Sequence, residues 1–260
     1  MVYEQIEYQC GSTIEIVRHV THKHRKEVEQ KWEQIQKTKE EMDQANLKQA
    51  VKRLTRKVNA NFRLGDWHVV LTYRQDMRPT LKEIRDVLKR FLDKIRRRYR
   101  KVGSELKYII VTEYEAKAIH HHLLINDVNL GKGKCTRDFI NECWTYGNPK
   151  YVSLYGDGDF RKLAEYFAKE TKRTRKKMSE SGGAIKQLYS CSRNLIDPKP
   201  VRRTVEVKRM WSMDPKSRKG YYIDRDTLYN GVDKYGYPYQ SYTMIRLDAR
   251  RLQQMRGGCA

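Results

Sequence analysis

The residues Ile119-His120-His121-His122-Leu123-Leu124-Ile125-Asn126 carry the clearest chemical signal in this sequence. Side chains on a β-strand alternate between its two faces, so His120 and His122 share one face while His121 joins Ile119, Leu123 and Ile125 on the other. Two imidazoles spaced this way can ligate one divalent cation, and the preceding segment Ile110-Val111-Thr112-Glu113-Tyr114 offers Glu113 as a carboxylate third ligand across a hairpin. Three ligands leave coordination positions open, as a Lewis-acid catalyst requires, because the metal must also reach a substrate oxygen. Three consecutive histidines can instead be a solvated polar patch at a strand end. The apolar run after them and the Glu-bearing strand before them favour the metal site.

A second candidate lies in Phe160-Arg161-Lys162-Leu163-Ala164-Glu165-Tyr166-Phe167-Ala168-Lys169-Glu170. At about 100° per residue, Phe160, Leu163, Ala164 and Phe167 form a buried stripe, and Tyr166 projects beside it with Lys162, Lys169 and Arg173 nearby. A phenol is a poor nucleophile until cations stabilise its phenolate and a metal activates the phosphorus it attacks. With 18 tyrosines in the chain, a solvated hydroxyl on an amphipathic helix is the alternative for this one taken alone.

These groups need a scaffold, and the pattern predicts one. Trp67 to Tyr73 reads as an interior strand, followed by a helix whose Leu81, Ile84, Val87, Leu88, Phe91, Leu92 and Ile95 keep a 3.6-residue period behind a Thr80 cap. Leu106–Tyr114 and Ala118–Asn126 form an antiparallel hairpin, and a short helix near Phe139–Trp144, a strand at Tyr151–Leu154 and a helix over Phe160–Lys177 follow. The order β-α-β-β-α-β-α predicts an α+β fold, a ferredoxin-like core with a central antiparallel sheet and helices packed on it. Residues 61–180 are assigned to this core. Residues 1–60, with a charged helical pattern over Lys23–Leu64, are assigned to a basic helical N-terminal arm. Residues 181–260, beyond the Ser181-Gly182-Gly183 boundary, form a small β-rich extension with strands at Arg203–Met213, Gly220–Asp224 and Thr243–Leu247.

The 260 residues include 55 Lys or Arg against 32 Asp or Glu, a formal charge of +23, so the partner is a polyanion. Lys82 to Lys107 holds eleven basic and four acidic residues, Lys169 to Lys177 six and one. Arg96, Arg97, Arg98, Arg100 and Lys101 in the first run, and Lys162, Arg173 and Arg175 around the second, are the candidate DNA contacts; aromatic residues offer stacking surfaces for unpaired bases. Apolar runs fall far short of a membrane helix, and the polar Met1–Gln5 start predicts no secretory leader, so a cytoplasmic, bacterial setting is expected. Cys10, Cys135, Cys143, Cys191 and Cys259 contain no Cys-x-x-Cys pair and read as free thiols.

Three segments in order, Val69-Val70-Leu71-Thr72-Tyr73, His120-His121-His122-Leu123-Leu124-Ile125 and Tyr166-Phe167-Ala168-Lys169, resemble the motifs of the HUH endonucleases, the rolling-circle replication initiators of bacterial plasmids and phages. The resemblance covers about residues 61–177, and Tyr189–Leu195 is similar to a further segment of such proteins. It implies that His120, His122 and Glu113 hold Mg²⁺ or Mn²⁺, that Tyr166 is the nucleophile, and that Lys169 positions or neutralises the phosphate. His121 at the middle of the histidine motif and Glu170 in place of a second tyrosine depart from the pattern; the latter implies a single-tyrosine enzyme.

The implied activity is site-specific nicking and strand transfer on single-stranded DNA or an origin hairpin, through a 5′-phosphotyrosine. No Gly-x-x-x-x-Gly-Lys-[Ser/Thr] occurs, so unwinding falls to a separate host helicase and extension to a host polymerase. A relaxase or transposase uses the same chemistry, but relaxases usually carry the tyrosine before the histidines, and here it follows them. A non-catalytic single-stranded DNA- or RNA-binding module is the alternative from another class. A zinc hydrolase is disfavoured because His-Glu-x-x-His and cysteine ligands are missing.

Overall fold

The computed structural model describes residues 2–20, 38–115, 118–128, 135–180, 189–206, 211–233 and 236–247. In chain order the elements are β1 (Val2–Cys10), β2 (Thr13–Val20), α1 (Lys39–Asn61), β3 (Trp67–Leu71), α2 (Ile84–Lys101), β4 (Tyr108–Glu115), β5 (Ala118–Ile125), α3 (Thr136–Cys143), β6 (Lys150–Ser153), α4 (Arg161–Glu180), β7 (Tyr189–Cys191), β8 (Val201–Glu206), β9 (Tyr221–Val232) and β10 (Pro238–Arg246). They divide between two compact units. One takes in 1–60, 156–160 and 196–252, the other 61–155 and 161–195.

The second unit is the α+β core. Its sheet runs β6-β3-β5-β4-β7 with every pair antiparallel. The first four strands thus follow the ferredoxin-like β-α-β-β-α-β arrangement, and β7 adds an edge beside β4. Alternation decides the layers. Trp67, Val69 and Leu71 of β3 are buried on one face with Ile110, Leu123 and Ile125, where Ile84, Val87, Phe91 and Ile95 of α2 and Phe139 and Ile140 of α3 pack. The opposite face carries His68, Val70, Val111, Glu113, His120 and His122, which the register aligns. Helix α4 lies against β4 on that side, with Ala164, Phe167 and Thr174 buried and Thr174 Oγ1 accepting the Tyr114 N–H at 3.2 Å.

Two close approaches fix the loops that carry β3. Gly147 follows α3 so closely under Thr72 that a Cβ would stand 2.2 Å from the Thr72 carbonyl oxygen. At the other end, buried Asp66 accepts the Arg63 and Asp127 backbone N–H groups, each at 2.8 Å. Burial raises its carboxyl to about 6 from an ordinary 3.8, against the pull of those two bonds. The folded chain therefore binds a proton that the unfolded chain has released, and stability falls as pH rises between about 4 and 6. From pH 7 down to pH 5 the wild type is expected to gain about 1 kcal/mol relative to Asp66→Asn, read from urea unfolding of both proteins.

In the first unit the sheet order is β8-β1-β2-β10-β9. The expectation of a helical arm over 1–60 holds for α1, but residues 2–20 are a hairpin, because Thr13, Ile14, Ile16, Val17 and Val20 are β-branched and the Gly11-Ser12 turn closes it. Gly11 has φ 60°, and a Cβ there would meet the Asn59 carbonyl at 2.2 Å. The β-rich C-terminal segment is no isolated extension: β8 pairs with β1 and β10 with β2. The expected helical residues before Thr38, the Ser181-Gly182-Gly183 boundary, part of the Arg203–Met213 strand and Cys259 lie outside the described residues. Cys10, Cys135, Cys143 and Cys191 are free thiols, and among the described residues no helix is long and apolar enough to cross a membrane.

Candidate active site

Strands β4 and β5 form a local hairpin in which Glu113 pairs with His120 and Val111 with His122, so Glu113 and both outer histidines point to the α4 side. Helix α4 supplies Tyr166 beside buried Phe167, outside the stripe as the periodicity predicts, and leaves it 38% exposed. The three groups converge. Glu113 Oε2 lies 2.8 Å from His122 Nε2 and accepts the Tyr166 hydroxyl at 3.2 Å, and Tyr166 Oη is 3.1 Å from His122 Nε2. The Tyr166 ring meets His122 edge-on at 5.1 Å.

Glu170 stands one turn beyond Tyr166 and completes the cluster. Burial alone would raise the Glu113 carboxyl, but hydrogen bonds from His122, Glu170 and Tyr166 hold it below the ordinary carboxylate range. Glu170 moves the other way, raised by burial and by its bond to Glu113. The proton therefore resides on Glu170, which donates it, and Glu113 is the carboxylate. Glu170 Oε2 is buried without a hydrogen-bond partner, and its other oxygen lies 3.6 Å from Arg173. Burial lowers the His122 imidazole despite the opposing pull of Glu113.

The middle histidine has another task. His121 is fully buried on the α2 face, with Nε2 2.7 Å from Tyr73 Oη and Nδ1 3.0 Å from Thr112 Oγ1. Burial takes His121 down to about 3, with the neighbouring His120 and His122 adding to it, so the ring is neutral. Burial also keeps the Tyr73 phenol protonated. Tyr73 then donates to Nε2 and His121 Nδ1–H donates to Thr112. The Leu71-Thr72-Tyr73 segment thus supports the sheet from beneath.

His120 is half-buried and is not drawn into the Tyr166 cluster: among the described residues no three His, Cys, Asp or Glu side chains are gathered as a ligand set. Lys169 is 64% exposed with its ammonium 3.9 Å from Glu165. Lys162, Arg173 and Arg175 lie on α4 and are exposed, or half-exposed in the case of the Arg173–Glu170 pair. The α2 cations lie across the sheet from Tyr166. Arg96 binds Asp93 at 2.6 Å, Arg97 donates to the Asp93 carbonyl at 3.2 Å, Arg98 pairs with Glu142 at 2.8 Å, and Arg100 and Lys101 are exposed. Arg96 and Arg100 line a groove of about 1200 Å³ with Leu88, Leu92 and Ile110.

Two members of the cluster were not among the sequence candidates. His68 of β3 places Nε2 3.1 Å from His122 Nδ1 and stacks on that ring at 5.3 Å, and Phe167 packs edge-on against it at 5.5 Å. Burial, with a smaller contribution from His122, lowers His68 to about 4. Strand alternation puts His68 opposite Trp67 and Val69, but only the β3–β5 register brings it to His122. Glu170 had a signal, its place one turn after Tyr166.

No curated protein and no solved structure matches the chain. Residues 66–175, from the start of β3 through most of α4, match the family model of the ORF2-type replication-associated protein, so the stretch that carries His122, Glu113 and Tyr166 is similar to replication-associated proteins.

Proposed function

We propose that this unit nicks single-stranded DNA through a covalent tyrosine intermediate, as a rolling-circle replication initiator of the HUH endonuclease kind. The observation that carries the reading is the Tyr166 phenol within 3.1 Å of His122 and 3.2 Å of Glu113, three groups from three elements converging on one oxygen. A phenol attacks only as it sheds its proton, and the Glu113 carboxylate and the His122 ring stand where that proton must go. Tyr166 Oη bonds to phosphorus while the P–O3′ bond breaks. The bonding electrons leave with the 3′ oxygen, which takes a proton from water, and the strand's 5′ phosphate stays on Tyr166. The ester bond is conserved, so a later 3′ hydroxyl can reverse the step and rejoin the strand, and the freed 3′ end can prime a polymerase.

The donor set suits a hard divalent cation. Glu113 and Glu170 meet as a carboxyl pair holding one proton between them, and the unpartnered Glu170 Oε2 is an acceptor that a cation satisfies. His120, His122 and Glu113 would hold Mg²⁺ or Mn²⁺, which when bound supplies Lewis-acid polarisation of a non-bridging phosphate oxygen. Lys162, Lys169, Arg173 and Arg175 share the helix of Tyr166 and would track the cut strand's phosphates. The α2 cations, on the far face, would meet the duplex flank or hairpin stem. The partners on this reading are single-stranded DNA or an origin hairpin and a host helicase and polymerase in the bacterial cytoplasm.

The test mixes the full chain with single-stranded oligonucleotides from its own replicon, with Mn²⁺ or with EDTA. The expected result is an SDS-resistant protein–DNA adduct with Mn²⁺ that EDTA and His122→Ala both remove. Tight binding with no adduct on any strand would favour the non-catalytic binding module instead.

A further inference from the structure

Both nitrogens of His122 are engaged. Nε2 faces Glu113 and Tyr166, at 2.8 and 3.1 Å, while Nδ1 faces His68 Nε2 at 3.1 Å. The His68 ring is held there by stacking on His122, with planes 28° apart, and by the edge of Phe167. A ring that donates Nε2–H to a carboxylate has a bare Nδ1, whereas a ring that ligates a cation through Nε2 carries its proton on Nδ1. The group facing Nδ1 must therefore donate in the first state and accept in the second. A carbonyl or carboxylate only accepts and an ammonium only donates, but a neutral imidazole does either.

We propose that His68 is a positioning residue that sets the tautomer of His122, donating to a bare Nδ1 in the cation-free protein and accepting from Nδ1–H when Nε2 is given to a cation. The proposal rests on the cation site proposed above. The protons balance. One crosses the 3.1 Å bond from His68 Nε2 to His122 Nδ1, one leaves His122 Nε2 for water, and one arrives from water at His68 Nδ1. The pair of rings ends with the charge it began with. A partner that follows the ligand ring in this way keeps its orientation fixed in both states, which is the usual function of the group behind a metal-binding histidine.

The experiment measures Mn²⁺ binding to the full chain without DNA, by the electron paramagnetic resonance signal of free Mn²⁺, together with the thermal midpoint. His68→Leu is expected to weaken binding by about 10- to 100-fold with little change in midpoint. His68→Gln, whose amide still donates and accepts, restores most of the affinity. Unchanged binding in His68→Leu would overturn the proposal, as would a His68→Gln loss equal to that of His68→Leu, or a loss of binding that tracks a fallen midpoint. If the wild type shows no Mn²⁺ binding that His122→Ala removes, the cation site itself fails and the tautomer proposal with it.

Discussion

Tyr166→Phe is expected to fold, to bind single-stranded DNA as the wild type does, and to form no covalent adduct with it. The substitution removes one oxygen and keeps the ring. The edge-on contact to His122 at 5.1 Å and the packing against Phe167 at 6.1 Å survive. Because Tyr166 is 38% exposed, losing its hydrogen bonds to Glu113 and His122 costs about 1 kcal/mol or less of stability. The chemical step has no substitute for the lost oxygen, so adduct formation falls by at least about 10³-fold. Denaturing gels read the adduct, and a filter-binding titration at fixed salt reads the affinity. Tyr189 on β7 pairs with Val111 and lies one strand further out on the same sheet. An adduct that persists in Tyr166→Phe would move the nucleophile there.

The second large effect concerns stability. His121→Ala is expected to destabilise the protein by about 3–5 kcal/mol in urea unfolding. The substitution opens a cavity in a fully buried site and strips the Tyr73 and Thr112 hydroxyls of the imidazole that joins them. Both hydroxyls are then left without that partner in a dry interior, each at a cost of about 1–3 kcal/mol. His120→Ala, one residue away on the half-buried opposite face, is expected to change stability by less than about 1 kcal/mol. A run of three identical residues thus divides by strand alternation into a core member and two site members. Equal losses at positions 120 and 121 would contradict that division.

What was legible in the sequence was local. The β4–β5 hairpin joins neighbours in the chain, so alternation placed Glu113, His120 and His122 on one face and His121 on the other, as the register has it. The helical period likewise placed Tyr166 beside the buried stripe of α4. The segment whose motifs resemble the replication initiators, about 61–177, is nearly the stretch that the family model matches, 66–175.

What stayed hidden depends on pairings between distant segments. His68 joins the site only because β3 lies beside β5, with Val70 opposite His122, and nothing in the long spacing between Val70 and His122 announces that neighbour. The same holds for the chain ends. Residues 2–20 read poorly as strands because their partners β8 and β10 begin about 200 residues later, and charge patterning around Lys23–Leu64 dominated the N-terminal reading. Charge counting also cannot see faces: the runs in α2 and α4 look alike in sequence, yet they lie on opposite sides of the sheet, and only α4 shares its side with Tyr166.

The central claim is that the Tyr166 oxygen becomes bonded to a DNA phosphate, and mass spectrometry of the adduct tests it most directly. The adduct formed with Mn²⁺ is digested with nuclease and then trypsin, leaving a short nucleotide remnant on whichever peptide holds the ester. The remnant is expected on the peptide Leu163–Lys169, which contains Tyr166, joined through a 5′ phosphate to the phenol. A remnant on any other peptide, or one joined through a 3′ phosphate, would contradict the account.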